Sequence, residues 1–155
     1  MTGTLSAGHA GIDPRGWALR IAAALLLVAA LAGCRTSDIY NVQQVSLATP
    51  PAAEMTQIEN AIERAGAGLG WEIKRADPDE PGHLIGRLPI RSHVAVVDIK
   101  HDTETFSITY KDSTNLEYDA EAGKIHSNYN GWIQNLRSAI LRETSNIEAS
   151  AGTST

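Results

Sequence analysis

Polar side chains in the second half of the chain include the residue types that small-ligand sites use. They are Lys111, Asp112, Asn115, His126, Asn128, Tyr129 and Asn130. Such groups can bind a sugar or a peptide through hydrogen bonds and through stacking on an aromatic ring. The same residue types also shape turns, cap helices and fill cores. The pattern favours these structural roles, and a ligand-binding site is the alternative.

Three residues of this region, Asp112, Ser113 and His126, have the types that a hydrolase combines. The serine nucleophile of an α/β-hydrolase sits in a Gly-x-Ser-x-Gly elbow, whereas Ser113 lies in a polar stretch without those glycines. No two carboxylates stand out as a glycosidase pair in this acidic chain. The sequence therefore predicts that the protein is not an enzyme.

The histidines do not follow a metal-binding pattern. Zinc sites combine closely spaced ligands with further partners, whereas the histidines of this chain are scattered. Only Asp98, His101 and Asp102 lie close together, and they fall at the tip of a predicted hairpin. We predict neither a metal nor another cofactor.

Cys34 is the only cysteine, so it cannot form an intramolecular disulfide. A catalytic or metal-binding thiol would need a nearby histidine or a second cysteine, which Cys34 lacks. An unpaired thiol in an exported protein needs another explanation.

The residues before Cys34 have the order of a signal peptide. Arg15 and Arg20 precede an apolar run from Ile21 to Ala32, and Gly33 follows. Signal peptides have a basic start, an apolar region of roughly 7 to 15 residues and small residues before the cleavage site. A transmembrane helix would need about 20 apolar residues. Residues 1–33 are therefore predicted to be a cleaved signal peptide.

The run Leu31-Ala32-Gly33-Cys34 resembles the lipobox of bacterial lipoproteins. The resemblance implies that Cys34 receives a diacylglyceryl thioether and becomes the new N-terminus. One acyl chain binds membranes with a constant of only about 10⁴ M⁻¹, whereas two or three anchor a protein stably. In such lipoproteins an aspartate after the cysteine favours the inner membrane. Since Arg35 stands there, the resemblance implies the periplasmic face of the outer membrane.

Composition limits the remaining possibilities. The net charge is -5 and no basic run is present, which argues against nucleic acid as a partner. The part after the signal peptide is long enough for one modest core. We predict a lipidated cysteine and flexible tether at 34–50, a single α+β domain at 51–145 and a disordered tail at 146–155.

Apolar spacing predicts two helices, at about Pro51–Leu69 and Ser127–Ser145. The first helix has two alternative starts, a Thr49 cap followed by Pro50 or a capping box of Thr56 and Glu59. Strands are predicted at Trp71–Ala76, Gly82–Leu88, His93–Lys100 and Thr105–Lys111. The predicted fold class is α+β: helix, four-stranded antiparallel β-meander, helix. Both helices are expected on the sheet face that bears Val97, Ile99, Phe106 and Ile108.

Strand alternation also predicts a register. A turn centred on Asp102-Thr103 would place Ile99 opposite Phe106, and a turn at 89–92 would place Leu88 opposite His93. On the other face, Ile85, Val94 and Val96 would then form a small apolar patch. These residues are either ordinary strand residues or a docking surface for a protein partner.

The segment from Lys124 to Ile133 carries a motif: Lys-Ile-His, a spacer, Asn-Tyr-Asn, a spacer, Trp-Ile. With Val94–Ile99 and Tyr110–Leu116, it resembles a family of small bacterial lipoproteins over roughly Ile58–Ile140. The resemblance implies a common fold and export route but no reaction. Our hypothesis is a lipid-anchored, non-catalytic envelope module that contacts another envelope protein or helps assembly. The alternative is a periplasmic binding module for cell-wall glycan or peptide fragments.

Overall fold

The structure is a computed structural model that describes residues 35–50 and 53–151, with side chains described as far as residue 147. The predicted signal peptide and Cys34 lie outside these residues. In the described part of the chain, no helix combines the length and the apolar character that crossing a membrane requires.

Seven strands and two helices make up this part of the chain. They are β1 (Thr36–Asp38), β2 (Val42–Ser46), α1 (Met55–Ala67), β3 (Glu72–Arg75), β4 (His83–Ile90), β5 (His93–His101), β6 (Thr105–Thr114), β7 (Lys124–His126) and α2 (Asn128–Ala151). The main sheet has the order β2-β6-β5-β4-β3, and β1 pairs with β7 in a second, two-stranded sheet. All pairs are antiparallel. The α+β class is confirmed, and the predicted meander β3 to β6 gains a fifth strand.

The core lies between the helices and one face of the main sheet. Helix α1 contributes Ile58, Ile62 and Ala65, and α2 contributes Ile133, Leu136, Ala139 and Ile140. The sheet contributes Leu84, Leu88, Ala95, Val97, Ile99, Phe106 and Ile108 to the same cluster. Each set repeats with the period of its own element, three to four for a helix and two for a strand. Both helices therefore share one sheet face, which we call the covered face, and the opposite side is the open face.

Helix α1 begins at Met55, between the two predicted starts. Its first turn is capped at Glu54, whose backbone N–H donates to Oε1 of Gln57 at 2.9 Å. Near the other end, Gly66 lies against β3: a Cβ added there would be 2.3 Å from Cδ1 of Ile73. Only glycine lets the helix approach the strand this closely.

The predicted tether is wrong for residues 36–46, which form β1 and β2. Val42 is only 2% exposed and lies opposite Ile108 in the sheet. The register of β2 shifts between Val42 and Val45, so a bulge interrupts its alternation. With two apolar residues out of phase among polar ones, β2 lacks the period-two pattern by which strands are recognised.

The predicted disordered tail is wrong for residues 146–151, which continue helix α2. Ile147 packs against the core as a half-buried residue. No glycine or proline interrupts the segment before Gly152. The apolar period of this segment is too weak to predict a helix. The contact of Ile147 with the core supports the helical continuation.

The predicted faces are right, but the predicted registers are wrong by two residues. Ile99 lies opposite Ile108 instead of Phe106, and Leu88 lies opposite Ala95 instead of His93. Each turn is centred one residue later than predicted. Because this moves the pairing by two residues, every side chain stays on its face.

Local hydrogen bonds and backbone angles explain both turns. The Asp102 carboxylate accepts the N–H groups of Glu104 and Thr105, at 2.7 and 2.6 Å, and this centres the β5–β6 turn on Thr103-Glu104. Arg91 adopts a left-handed backbone with φ 55° in the two-residue β4–β5 turn. Pro89 is part of β4, where the missing N–H is tolerated because β3 pairs no further than Arg87.

Replacing Val42 with alanine tests the assignment of β2. We expect Val42→Ala to lower the free energy of unfolding by about 1–3 kcal/mol, because a buried valine leaves a cavity. Gln43→Ala, an exposed neighbour, should change it by less than about 0.5 kcal/mol. Urea unfolding of both variants measures the difference. Equal effects of the two substitutions would contradict burial of this strand.

Candidate functional site

Several of the predicted ligand residues serve the fold. Nδ2 of Asn130 donates to Oγ of Ser37 at 3.0 Å and to the carbonyl of Asp38 at 2.8 Å. Its Oδ1 accepts the N–H of Tyr40 at 2.9 Å. Asn130 therefore fastens the segment around β1 to the start of α2.

Tyr129 belongs to the core. Its side chain has no exposed surface, and its ring packs edge-on against Tyr110 with centroids 5.9 Å apart. Within the described residues its hydroxyl has no hydrogen-bond partner. Burial raises the pKa of this phenol above its usual value. Tyr129 therefore offers no surface to a ligand.

Asp112 lies near the end of β6 and His126 ends β7, whereas Asn115 follows β6 and Asn128 begins α2. The Asp112 carboxylate accepts the N–H of Ser113 at 2.7 Å. Asn115 has a left-handed backbone, and its Nδ2 donates to the carbonyl of Ser92 at 2.7 Å. Nδ1 of His126 accepts the N–H of Asn128 at 3.3 Å. These contacts shape the backbone, while the side chain of Asn128 is exposed.

Lys111 lies elsewhere, on the open face, where it completes a row of charges across three strands. Its Nζ donates to both Asp98 oxygens, at 3.0 and 3.1 Å, and Nε2 of His83 contacts Asp98 Oδ1 at 2.7 Å. Partial burial of Asp98 opposes ionisation, but the hydrogen bonds from His83 and Lys111 outweigh it and lower the pKa of the carboxyl group. These contacts therefore favour the ionised form of Asp98 at the centre of the row.

The open face also carries the predicted apolar patch. Ile85, Val94 and Val96 are half-buried. Their cross-strand partners are Asp98, Pro89 and Arg87, respectively. Each apolar residue of the patch therefore lies opposite a charged residue or a proline, and no two of them pair directly. Of the open-face side chains on β3 to β6, none is buried.

A buried charged cluster went unrecognised in the sequence. Glu59, on α1, is 4% exposed, and its carboxylate accepts hydrogen bonds from Nε of Arg75 at 2.7 Å and from Nη2 of the same residue. The N–H of Gly82 donates to the other oxygen at 3.1 Å. Burial opposes ionisation of Glu59, but these bonds outweigh it and lower its pKa. The one signal of this cluster in the sequence is that Glu59, an acidic residue, lies beside the apolar stripe of α1.

His101 completes this cluster. Its Nε2 lies 3.8 Å from Oε1 of Glu59 and has no hydrogen-bond partner within the described residues, while Nδ1 donates to the carbonyl of Asp102 at 3.3 Å. Burial lowers the pKa of the imidazole, so it is neutral at pH 7. Gly82 (φ 84°) packs against it: a Cβ added there would be 2.6 Å from the His101 carbonyl oxygen. The side chains of Glu59 and His101 are 5% and 0% exposed, whereas that of Arg75 is 36% exposed, so the two titratable groups themselves lie away from solvent.

Across the described residues, no three histidine, cysteine, aspartate or glutamate side chains are grouped as metal ligands. Comparison with protein-family models, with curated proteins and with solved structures gives no match to this chain. The open face therefore has to be interpreted from its own geometry.

Two asparagines of the predicted ligand group form a matched pair for a test. We expect Asn130→Ala to lower the free energy of unfolding by about 1–3 kcal/mol, because it removes hydrogen bonds to the β1 segment. Asn128→Ala should change it by less than about 0.5 kcal/mol. Hydrogen exchange at the Tyr40 amide should accelerate only in the first variant. Similar behaviour of the two variants would contradict the fastening role.

The buried imidazole predicts how stability depends on pH. Since the pKa of His101 is lowered from 6.5 by folding, the unfolded chain takes up this proton more readily, and stability falls as the pH drops below about 6.5. Glu59 adds to this loss of stability only at lower pH, below its usual pKa of 4.5. In His101→Phe the fall in the urea midpoint between about pH 7 and pH 5.5 should be shallower. An unchanged slope would contradict the burial of a neutral histidine.

Proposed function

We propose that this protein is a lipid-anchored module of the bacterial envelope, without catalytic activity, that docks another envelope protein on its open face. The observation that carries the proposal is the composition of the open face. Apolar Ile85, Val94 and Val96 alternate there with charged residues, and none of them is buried. A mixture of half-buried apolar groups with a charged surround is typical of a non-obligate protein interface.

The anchor in this proposal is Cys34, on the strength of its lipobox-like surroundings. Strand β1 begins at Thr36, so only Arg35 separates the proposed lipid attachment site from the folded domain. Two residues span at most about 7 Å when fully extended. A lipid on Cys34 would hold the domain beside the membrane surface instead of on a long tether. We propose that this membrane is the outer membrane and that the domain lies on its periplasmic side.

The placement of Tyr129 and Asn130 argues for docking over the alternative, a cell-wall binding site in the Lys111–Asn130 region. Tyr129 is enclosed in the core, and the amide of Asn130 is saturated by the β1 segment. The three residues of the apolar patch, by contrast, have no role in the core. The open face is therefore the better candidate for an interaction.

Photo-crosslinking in intact cells tests the proposal. A photoreactive residue at Val96 should yield a discrete adduct with an envelope protein, whereas one at Arg142, exposed on α2, should not. In a Cys34→Ser background the adduct should be lost, because the protein is no longer held at the membrane. Identical products from Val96 and Arg142 would contradict docking on the open face.

Mass spectrometry of the purified protein separates the anchor from the docking surface. We expect a chain that starts at Cys34 and carries the mass of acyl chains, and no lipid on Cys34→Ser. A bare thiol or a retained leader would contradict the anchor, whatever the crosslinking shows.

A further inference from the structure

A polar groove runs along the open face at its β2 edge. Its volume is about 410 Å³, within the range of small-ligand pockets. Amides, hydroxyls and one ammonium group line it: Gln43, Gln44, Lys100, Thr105, Ser107 and Thr109. None of these residues belongs to the predicted ligand group or to the apolar patch.

The groove follows from side-chain size on neighbouring strands. Short hydroxyl residues alternate along β6, and Ser107 lies opposite the long Lys100 of β5. On the other side, Gln44 has a left-handed backbone (φ 44°), and its N–H donates to Oγ of Ser107 at 2.9 Å. This residue is part of the bulge in β2, and bulges commonly re-aim side chains next to functional sites. A floor of small residues between long ones makes a trough along β6.

Lys100 is the ammonium group that lines the groove. It is exposed, and within the described residues it has no ion-pair partner, whereas Lys111 on the same face is held by Asp98. Asp102 also lines the groove, but its oxygens accept the N–H groups of Glu104 and Thr105 and the hydroxyl of Thr105. The groove therefore presents one cation without an ion-pair partner, a carboxylate that is already engaged by the β5–β6 turn, and several neutral hydrogen-bonding groups.

We propose that this groove binds a short extended peptide that ends in a free carboxylate, with Lys100 as the anchor for the carboxylate. Alternate residues of a strand are about 6.6 Å apart, so the hydroxyls of Thr105, Ser107 and Thr109 repeat at the spacing of alternate residues in an extended ligand. Sugar sites usually add a stacking aromatic ring. The one ring among the residues that line this groove belongs to His101, and that side chain is 0% exposed. A peptide thus fits the lining better than a glycan does.

This proposal goes beyond protein docking at the apolar patch and does not depend on it. The two use different residues of the open face. The groove is tested on the purified protein, and docking is tested in cells, so either can fail without the other.

Nuclear magnetic resonance titration of the purified full chain tests the groove. The probes are trialanine with a free carboxylate, its C-terminal carboxamide, and the same tripeptide ending in D-alanyl-D-alanine. We expect the free acid to shift the amide signals of Lys100, Ser107 and Thr109, and the carboxamide to bind roughly tenfold more weakly or worse. Lys100→Gln should weaken binding of the free acid by a similar factor.

Lys74→Gln is the matched control, because Lys74 is an exposed lysine on β3, at the opposite edge of the sheet. It should leave binding unchanged. Tighter binding of the D-alanyl peptide would indicate a cell-wall stem peptide as the source of the carboxylate, and tighter binding of the L-peptide a protein C-terminus. No shifts at millimolar peptide, equal binding of acid and carboxamide, or equal losses in the two lysine variants would overturn the proposal.

Discussion

Both helices pack on the same face of the main sheet, and this one-sided burial governs the rest of the molecule. Ile58 and Ile62 of α1 and Leu136 of α2 enter one cluster with Val97 and Ile108 of the sheet. Removing such apolar surface from water is the main driving force of folding. Once the helices occupy one face, strand alternation sends the polar side chains to the other. The open face is therefore a direct consequence of the core.

Two sets of polar contacts join further segments to this core. Asn130 holds the β1 segment against the start of α2 by three hydrogen bonds. Under α1, Glu59 accepts hydrogen bonds from Arg75 and Gly82 and lies beside His101, so one carboxylate connects a helix with β3, with β5 and with the residue before β4. A buried charge is tolerated only when it is paired and hydrogen-bonded. These contacts order segments whose apolar content alone is low.

The open face combines two kinds of surface. One part alternates Ile85, Val94 and Val96 with charged partners, and the other is a trough of hydroxyls and amides beside Lys100. The bulges in β2 and near Lys111 of β6 create this division, because each one locally changes which side chains share a face. A protein partner suits the first part and a small carboxylate ligand the second. Both proposals follow from the geometry of the strands.

Periodicity in the sequence alone determined the α+β class, four of the five main strands, the two helices and the face of every apolar core residue from Leu84 to Ile108. The lipobox-like run before Cys34 is recognised from a local motif, and its lipidation stays a prediction. Only the tertiary structure decided the registers, the joining of β2 to β6, the burial of Glu59 and the roles of Tyr129 and Asn130. Alternation is unchanged by a shift of two residues, so it cannot set a register. Polar residues such as Glu59 and Asn130 acquire their roles from partners that are distant in the chain.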